Sequence, residues 1–186
     1  NLTPPHDISD RKITDYLPKG EGAEKLLELM AQSEKILKNH PVNQKRIAEG
    51  KNPATSIWIW GEGSRPQLEK FESLYHKKGA VISAVDLIKG IAICAGMNSI
   101  DVPGANGNYD TNYDGKANAA ISALRDGYDF VYVHLEGPDE CGHQGNAAHK
   151  KLAVERIDEK IIAPIRAAMK EDGEHYKMLV LPDHPT

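Results

Sequence analysis

The chain has 186 residues, 40% of them hydrophobic, enough to bury a core in one ordinary domain or two small ones. Its formal charge of −4 is spread over interspersed Lys, Arg, Asp and Glu, which argues against a face built for nucleic acid or an anionic membrane. No apolar run approaches the ~20 residues needed to cross a bilayer, and Cys94 and Cys141, far apart and without a CxxC pair, speak against a zinc ribbon or a disulfide scaffold.

These averages lead to the expectation of a soluble protein of the reducing cytoplasm, with no charged and apolar leader. The chain opens on Asn1 and ends at Asp183-His184-Pro185-Thr186, directly after a strand-like segment, so it reads as a piece of a longer protein. Residues 1–20 are rich in Pro, Asp and Lys without periodicity and read as an entry loop or linker. Over 22–39, Leu26, Leu27, Leu29, Met30, Ile36 and Leu37 recur at helical spacing, and Pro41 disfavours a continued helix. A short helix over 42–49 follows, with Gly50 as its stop.

Ser56-Ile57-Trp58-Ile59-Trp60 is dense in β-branched and aromatic residues and closes on Gly61-Glu62-Gly63, which predicts a strand and a turn, with both tryptophans packed on the sheet. A helix over 66–76, a strand over 80–85 and a helix over 86–93 capped by Asp86 come next. The cluster Pro103-Gly104-Ala105-Asn106-Gly107-Asn108 interrupts regular structure and suggests a domain boundary near residue 100. Beyond it the pattern predicts a helix over 116–125, a strand over 130–135, a long helix over 147–170 and a last strand over 178–181.

Alternating strands and helices of this kind indicate an α/β fold. If the last two strands form a right-handed parallel unit, their C-terminal ends share one sheet edge, where open α/β folds bind ligands. Asp139, His143, Asp183 and His184 then meet there.

Asp139 and His143 are four residues apart, so a helical turn after the strand places carboxylate and imidazole on one face. Asp183 and His184 are adjacent, with side chains directed to opposite sides at a strand end. Carboxylate and imidazole ligands suit manganese, zinc or magnesium, and two such ions ~4 Å apart clamp the attacking and leaving oxygens of a phosphoryl displacement. Taken singly, the first pair also fits a solvated helix start and the second an ordinary loop. Their occurrence at the ends of two core strands is what points to a metal centre.

Cys141 reads as small filler beneath that centre, His134 as a satisfied core histidine, and His149 as solvated. Lys116, at a helix start after a glycine-rich loop, has the chemistry to hold a phosphate, and Arg65 after Gly61-Glu62-Gly63-Ser64 has the same. Each also fits a plain surface cation, and neither loop is a Walker-type phosphate loop.

Three stretches, Gly104-Ala105-Asn106-Gly107, Asp110 through Lys116, and Val133 through His143, resemble the cofactor-independent phosphoglycerate mutases, in their archaeal-type branch within the alkaline phosphatase superfamily. The stretch from His40-Pro41 through Trp60-Gly61 is similar to that branch as well. The resemblance implies an alkaline-phosphatase-like α/β sandwich domain carrying two divalent metal ions, manganese foremost, and a serine nucleophile, with no bisphosphoglycerate. It implies an inserted α+β domain that closes over a small phosphorylated hydroxy acid. On this basis residues 1–7 are a linker, 8–100 the inserted domain and 101–186 part of the metal-binding domain.

By the same resemblance Asp139 and His143 serve one ion, Asp183 and His184 the other, and Lys116 and Arg65 hold substrate charge. The implied activity is the glycolytic interconversion of 3- and 2-phosphoglycerate through a phosphoserine, an isomerase reaction. The family's N-terminal aspartate, nucleophilic serine and further histidine do not occur among these residues, so the piece alone is expected to be inactive. Pro4-Pro5-His6 departs from the branch, in which an acidic residue precedes Pro-His. Alternatives are a phosphotransferase or phosphomonoesterase of the same superfamily, such as a homoserine-kinase-like member, or a non-catalytic α/β binding module.

Overall fold

The computed structural model describes residues 1–186, the side chain of His6 excepted. The chain divides into two compact units, residues 1–65 and 66–186. The expected boundary near residue 100 lies inside the second unit, at the end of one strand of its sheet.

The first unit is built on α1 (Ala23–Lys38) and α2 (Pro41–Ala48). His40 caps α2 by accepting from the Val42 N–H, and Pro41 sits in the first turn, where its missing N–H costs nothing. The strand expected over 56–60 does not form. Backbone groups that would enter a ladder are taken by side chains instead: Ala54 N–H donates to Asn43 Oδ1 at 3.0 Å and Ile57 N–H to Ser33 Oγ at 3.0 Å. Asn43, buried, also donates to the carbonyls of Leu37 and Ala54 at 2.7 Å each. The segment is thus fastened to the two helices by polar side chains, which take the place of ladder partners. Trp58 donates to the Thr3 carbonyl at 2.8 Å, and Trp60 is half exposed, so neither takes the expected place on a sheet of its own unit.

The second unit carries a three-stranded parallel sheet, in the order β2-β1-β3, from β1 (Gly79–Ile82), β2 (Asn98–Ile100) and β3 (Phe130–Val133). This is the α/β class that the sequence predicts. Ala80 pairs with Asn98 and Val131, and Ile82 with Ile100 and Val133, so all three strands end at one edge. Fully buried β1 is a continuous apolar run, as a central parallel strand must be. Helix α3 (Phe71–Tyr75) is shorter than the predicted 66–76 and precedes the sheet. Helix α4 (Asp86–Cys94) links β1 to β2, with Val85 rather than Asp86 at the cap position. Strand β2 was not expected, since three residues with one apolar side chain give little pattern to read.

Helix α5 (Tyr113–Arg125) begins three residues before the predicted start because the Asn112 side chain caps it, accepting from Gly115 N–H at 2.9 Å. Its buried face is Ala117, Ala120 and Ala123, small enough for close approach to the sheet. After β3 come α6 (Gly137–His143), α7 (Ala147–Ile157) and α8 (Ala163–Glu171), the last two joined by one wide π-helical turn over Asp158–Ile162. The long helix predicted over 147–170 is therefore present but widened. Pro164 explains the widening: a proline inside a regular α-helix clashes with the carbonyl four residues back and leaves it unpaired, and a wider turn absorbs both. The wide turn keeps Ile161 in the core with Ile82, Tyr113, Ile165 and Met169. Arg125 clamps Asp172 with two hydrogen bonds of 2.8 and 2.9 Å, closing the end of α5 on the end of α8.

The strand predicted over 178–181 is absent. Leu179, Val180 and Leu181 are exposed and unpaired, and β3 remains an edge strand, so the parallel unit expected between these two segments does not form. A strand is defined by its neighbour, and apolar, β-branched composition alone does not supply one. No helix among the described residues is long and apolar enough to cross a membrane.

Ile82 is the large apolar side chain at the junction of sheet and helices and is wholly buried. Ile82→Ala is expected to cost about 3 kcal/mol and Ile82→Val about 1 kcal/mol, read as shifts in the urea unfolding midpoint.

Candidate metal centre

The C-terminal edge of the sheet carries the predicted side chains. Directly after β3 the chain enters α6, where Pro138 occupies the first turn and Asp139 and Glu140 place their negative charge at the helix N-terminus. The helical turn that the four-residue spacing predicts is present, and it sets Asp139 Oδ2 3.3 Å from His143 Nε2. Cys141, one face away, is buried, matching its expected role as filler.

Residues 182–186 reach the same helix although no strand leads into them. His184 Nδ1 is 3.9 Å from Asp139 Oδ1, and His184 Nε2 is 3.4 Å from Asp183 Oδ2. Thr186 Oγ1 donates to Asp139 Oδ1 and lies 3.1 Å from His184 Nδ1, while Lys150 donates to the Thr186 carbonyl at 2.8 Å. His143 and His184 thus both lie against the Asp139 carboxylate, and Asp183 lies against His184.

The donor set is two carboxylates and two imidazoles, oxygen and nitrogen ligands that fit zinc, manganese or magnesium. Two donor atoms each about 2.1 Å from a common ion stand about 3–3.5 Å apart. The pair Asp139–His143 at 3.3 Å and the pair Asp183–His184 at 3.4 Å both have that spacing. Among the described residues no three His, Cys, Asp or Glu side chains converge on one point. Each pair on its own presents two donor atoms at that spacing.

Lys116 and His134, both singled out in the sequence, lie at this edge together with Glu136, which was not. Lys116 is 1% exposed and donates from Nζ to the His134 carbonyl at 3.1 Å. It is no surface lysine: burial pulls its ammonium below the ordinary lysine range, and nearby Glu136 opposes that pull. Burial pushes the Glu136 carboxyl up, and the negative charges of Glu140, Asp139 and Asp183 add to the effect against Lys116. His134, half buried, has its Nδ1 3.2 Å from Ser83 Oγ and is held below the usual imidazole range, first by burial and then by Lys116. The acidic Glu136 gave no signal of its own because it stands outside both Asp/His pairs.

Arg65 closes the first unit and is exposed. The side chain of His6 is outside the described residues. His149, expected to be solvated, is half buried: its ring stacks on Tyr109 at 4.0 Å, and its Nδ1 lies 2.9 Å from Asn146 Nδ2.

A loop over 104–111 packs against the start of α6. Asn106 N–H donates to the buried Thr111 hydroxyl at 2.9 Å, and Asn108 N–H to Asn106 Oδ1 at 2.9 Å. Gly137 lets the loop touch α6: a Cβ there would stand 3.0 Å from Tyr109 Cα and 3.1 Å from the Asn108 carbonyl. A Cβ at Gly107 would meet Glu136 Oε2 at 2.6 Å, but that oxygen is the end of a flexible side chain.

Residues 18–186 match the model of a family described as the Metalloenzyme superfamily. The chain belongs to this superfamily. Membership implies bound metal ions, and the Asp/His pairs have donor chemistry that suits them. Over 185 residues the chain is 52% identical to a probable 2,3-bisphosphoglycerate-independent phosphoglycerate mutase of Geobacter sulfurreducens. Over 184 residues it is 55% identical to a 2,3-bisphosphoglycerate-independent phosphoglycerate mutase of Methanosarcina mazei. These alignments take in 100% and 99% of this chain but 46% of each relative, so the chain spans just under half their length. Among solved structures, the PH0037 protein of Pyrococcus horikoshii superposes with a TM-score of 0.64 at 36% identity, over 78% of this chain and 38% of that one.

Gly137→Ala is expected to destabilise the second unit by about 1–3 kcal/mol, because backbone on both sides must move. Gly107→Ala should cost less, since Glu136 can swing away, and the two melting temperatures compare the cases directly. The imidazole of His134, lowered from 6.5, binds fewer protons in the folded than in the unfolded chain. Its contribution to stability is therefore complete above pH 6.5 and declines as the pH falls below that value. Replacing it by Gln should flatten this part of the stability–pH curve, followed by denaturant titration at several pH values.

Proposed function

We propose that the complete protein interconverts 3-phosphoglycerate and 2-phosphoglycerate without bisphosphoglycerate, as a glycolytic isomerase of the cytoplasm. The observation that supports this best is the 52–55% identity, across essentially the whole chain, to two proteins bearing that name. The Asp/His cluster at the sheet edge adds to it. In this reading Asp139 and His143 hold one divalent ion, Asp183 and His184 a second, and manganese is the first candidate. Bound ions of this kind lower the pKa of a coordinated hydroxyl and stabilise charge on a transferring phosphoryl group.

The chain's own groups then have separable tasks. Asp139 and Asp183 supply negative charge that draws cations to the edge, and α6 fixes the spacing of the first pair. Lys116 presents a buried ammonium toward which the phosphate or carboxylate of a phosphoglycerate is attracted, in surroundings of low dielectric where that attraction is strong. Arg65 is a second cation for substrate. A serine outside these residues accepts the phosphoryl group from the 3-hydroxyl oxygen, and after the glycerate reorients, the same group passes to the 2-hydroxyl. Substrate is thus a small phosphorylated hydroxy acid, and neither nucleic acid nor membrane is a partner.

The test is an assay of full-length protein with manganese and 3-phosphoglycerate, free of bisphosphoglycerate. Formation of 2-phosphoglycerate is expected, and its failure would exclude the mutase reading. Partners that only orient metal ligands cost about 10–100-fold when removed. Asp139→Ala combined with His184→Ala should therefore lower activity by about a hundredfold or more and weaken manganese binding in calorimetric titration.

A further inference from the structure

We infer that Ser83 and His134 are positioning residues for the Lys116 ammonium, joining the ends of β1 and β3 at the point where that charge is held. The kinetic part of this inference rests on the mutase reading; the geometry does not.

Ser83 directly follows the last residue of β1 and is 2% exposed. Its Oγ accepts the Val85 N–H at 3.0 Å and lies 3.2 Å from His134 Nδ1. With one lone pair already engaged by Val85, the hydroxyl proton is available to Nδ1. In a neutral imidazole that leaves the ring proton on Nε2. Burial and the neighbouring ammonium both favour the neutral ring, in keeping with Nδ1 as the acceptor. The Coulombic neighbours of the ring are Lys116, which favours the neutral form, and Asp183, which opposes it.

The backbone N–H, the ring Nδ1 and the carbonyl of His134 each have a partner inside the fold. Its N–H donates to the Ile82 carbonyl at 2.8 Å, extending the β1–β3 ladder by one residue beyond Val133. Its ring is held by Ser83, with Tyr132 stacked alongside at 6.3 Å. Its carbonyl receives the Lys116 ammonium at 3.1 Å. A lysine side chain is a long flexible stem with a point charge at its end, so its position is set by what it donates to. The carbonyl it donates to is fixed in direction by the ladder on one side and the serine on the other. None of these three residues belongs to the Asp/His pairs, so the device is separable from metal holding.

The experiment compares wild type, Ser83→Ala and His134→Asn in the full-length protein. Losing one hydrogen bond of ordinary strength corresponds to about a fivefold to tenfold change in an equilibrium. Labelling of Lys116 by acetic anhydride, mapped by mass spectrometry, is expected to accelerate by about that factor in both variants, with the other lysines unchanged. With 3-phosphoglycerate as substrate, KM should rise while manganese affinity stays at the wild-type value. An unchanged Lys116 labelling rate in both folded variants overturns the inference whatever the activity. An equal rise at all lysines also overturns it, by assigning Ser83 to general stability. Should Ser83→Ala not fold, His134→Asn carries the test, since it keeps the carbonyl while changing the ring. If labelling changes as expected but the wild type does not interconvert phosphoglycerates, the positioning stands and the mutase reading falls.

Discussion

Parallel pairing of β1 with both of its neighbours is the constraint on which the candidate centre depends. Because the strands run the same way, each contributes whatever follows its last residue to a single edge: Ser83 after β1, and His134, Glu136 and α6 after β3. An antiparallel pairing of the same segments would have sent these groups to opposite ends. The burial of β1 on both faces stabilises this arrangement, and the alanine face of α5 allows a helix close enough for Lys116 to reach across to the His134 carbonyl.

That reach sets the character of the edge. A lysine held inside beside Glu136, which itself lies near Asp139 and Asp183, makes a region in which charges of both signs are poorly screened. The directions of the shifts at Lys116, Glu136 and His134 all follow from removing water from charged groups that remain within reach of each other. Structural ion pairs elsewhere, such as Lys45 with Glu49 or Lys151 with Glu155, lie in water and contribute little.

Legibility in the sequence followed the physical range of each signal. Helices α1, α2, α4 and α5, and strands β1 and β3, were readable because periodicity and caps are local, and the Asp139–His143 spacing was readable for the same reason. Non-local effects escaped. The run Ser56-Ile57-Trp58-Ile59-Trp60 has strand composition, but Asn43 and Ser33, distant in sequence, take its backbone groups. The buried state of Lys116 depends on the alignment of β3 with α5, which no window of sequence contains. The His184 side chain still arrives beside Asp139, with Asp183 against it, through a loop rather than the expected strand, so the approach of these side chains was legible while its support was not.

The exposed Leu179, Val180 and Leu181 and the unpaired side of β3 have a joint consequence. An apolar, β-prone run and an open hydrogen-bonding edge in the same molecule are the two halves of an adhesive contact. Crowded at high concentration, copies of these 186 residues alone are driven toward strand exchange with one another. Colloidal behaviour, as well as folding stability, then bears on how the isolated polypeptide is handled.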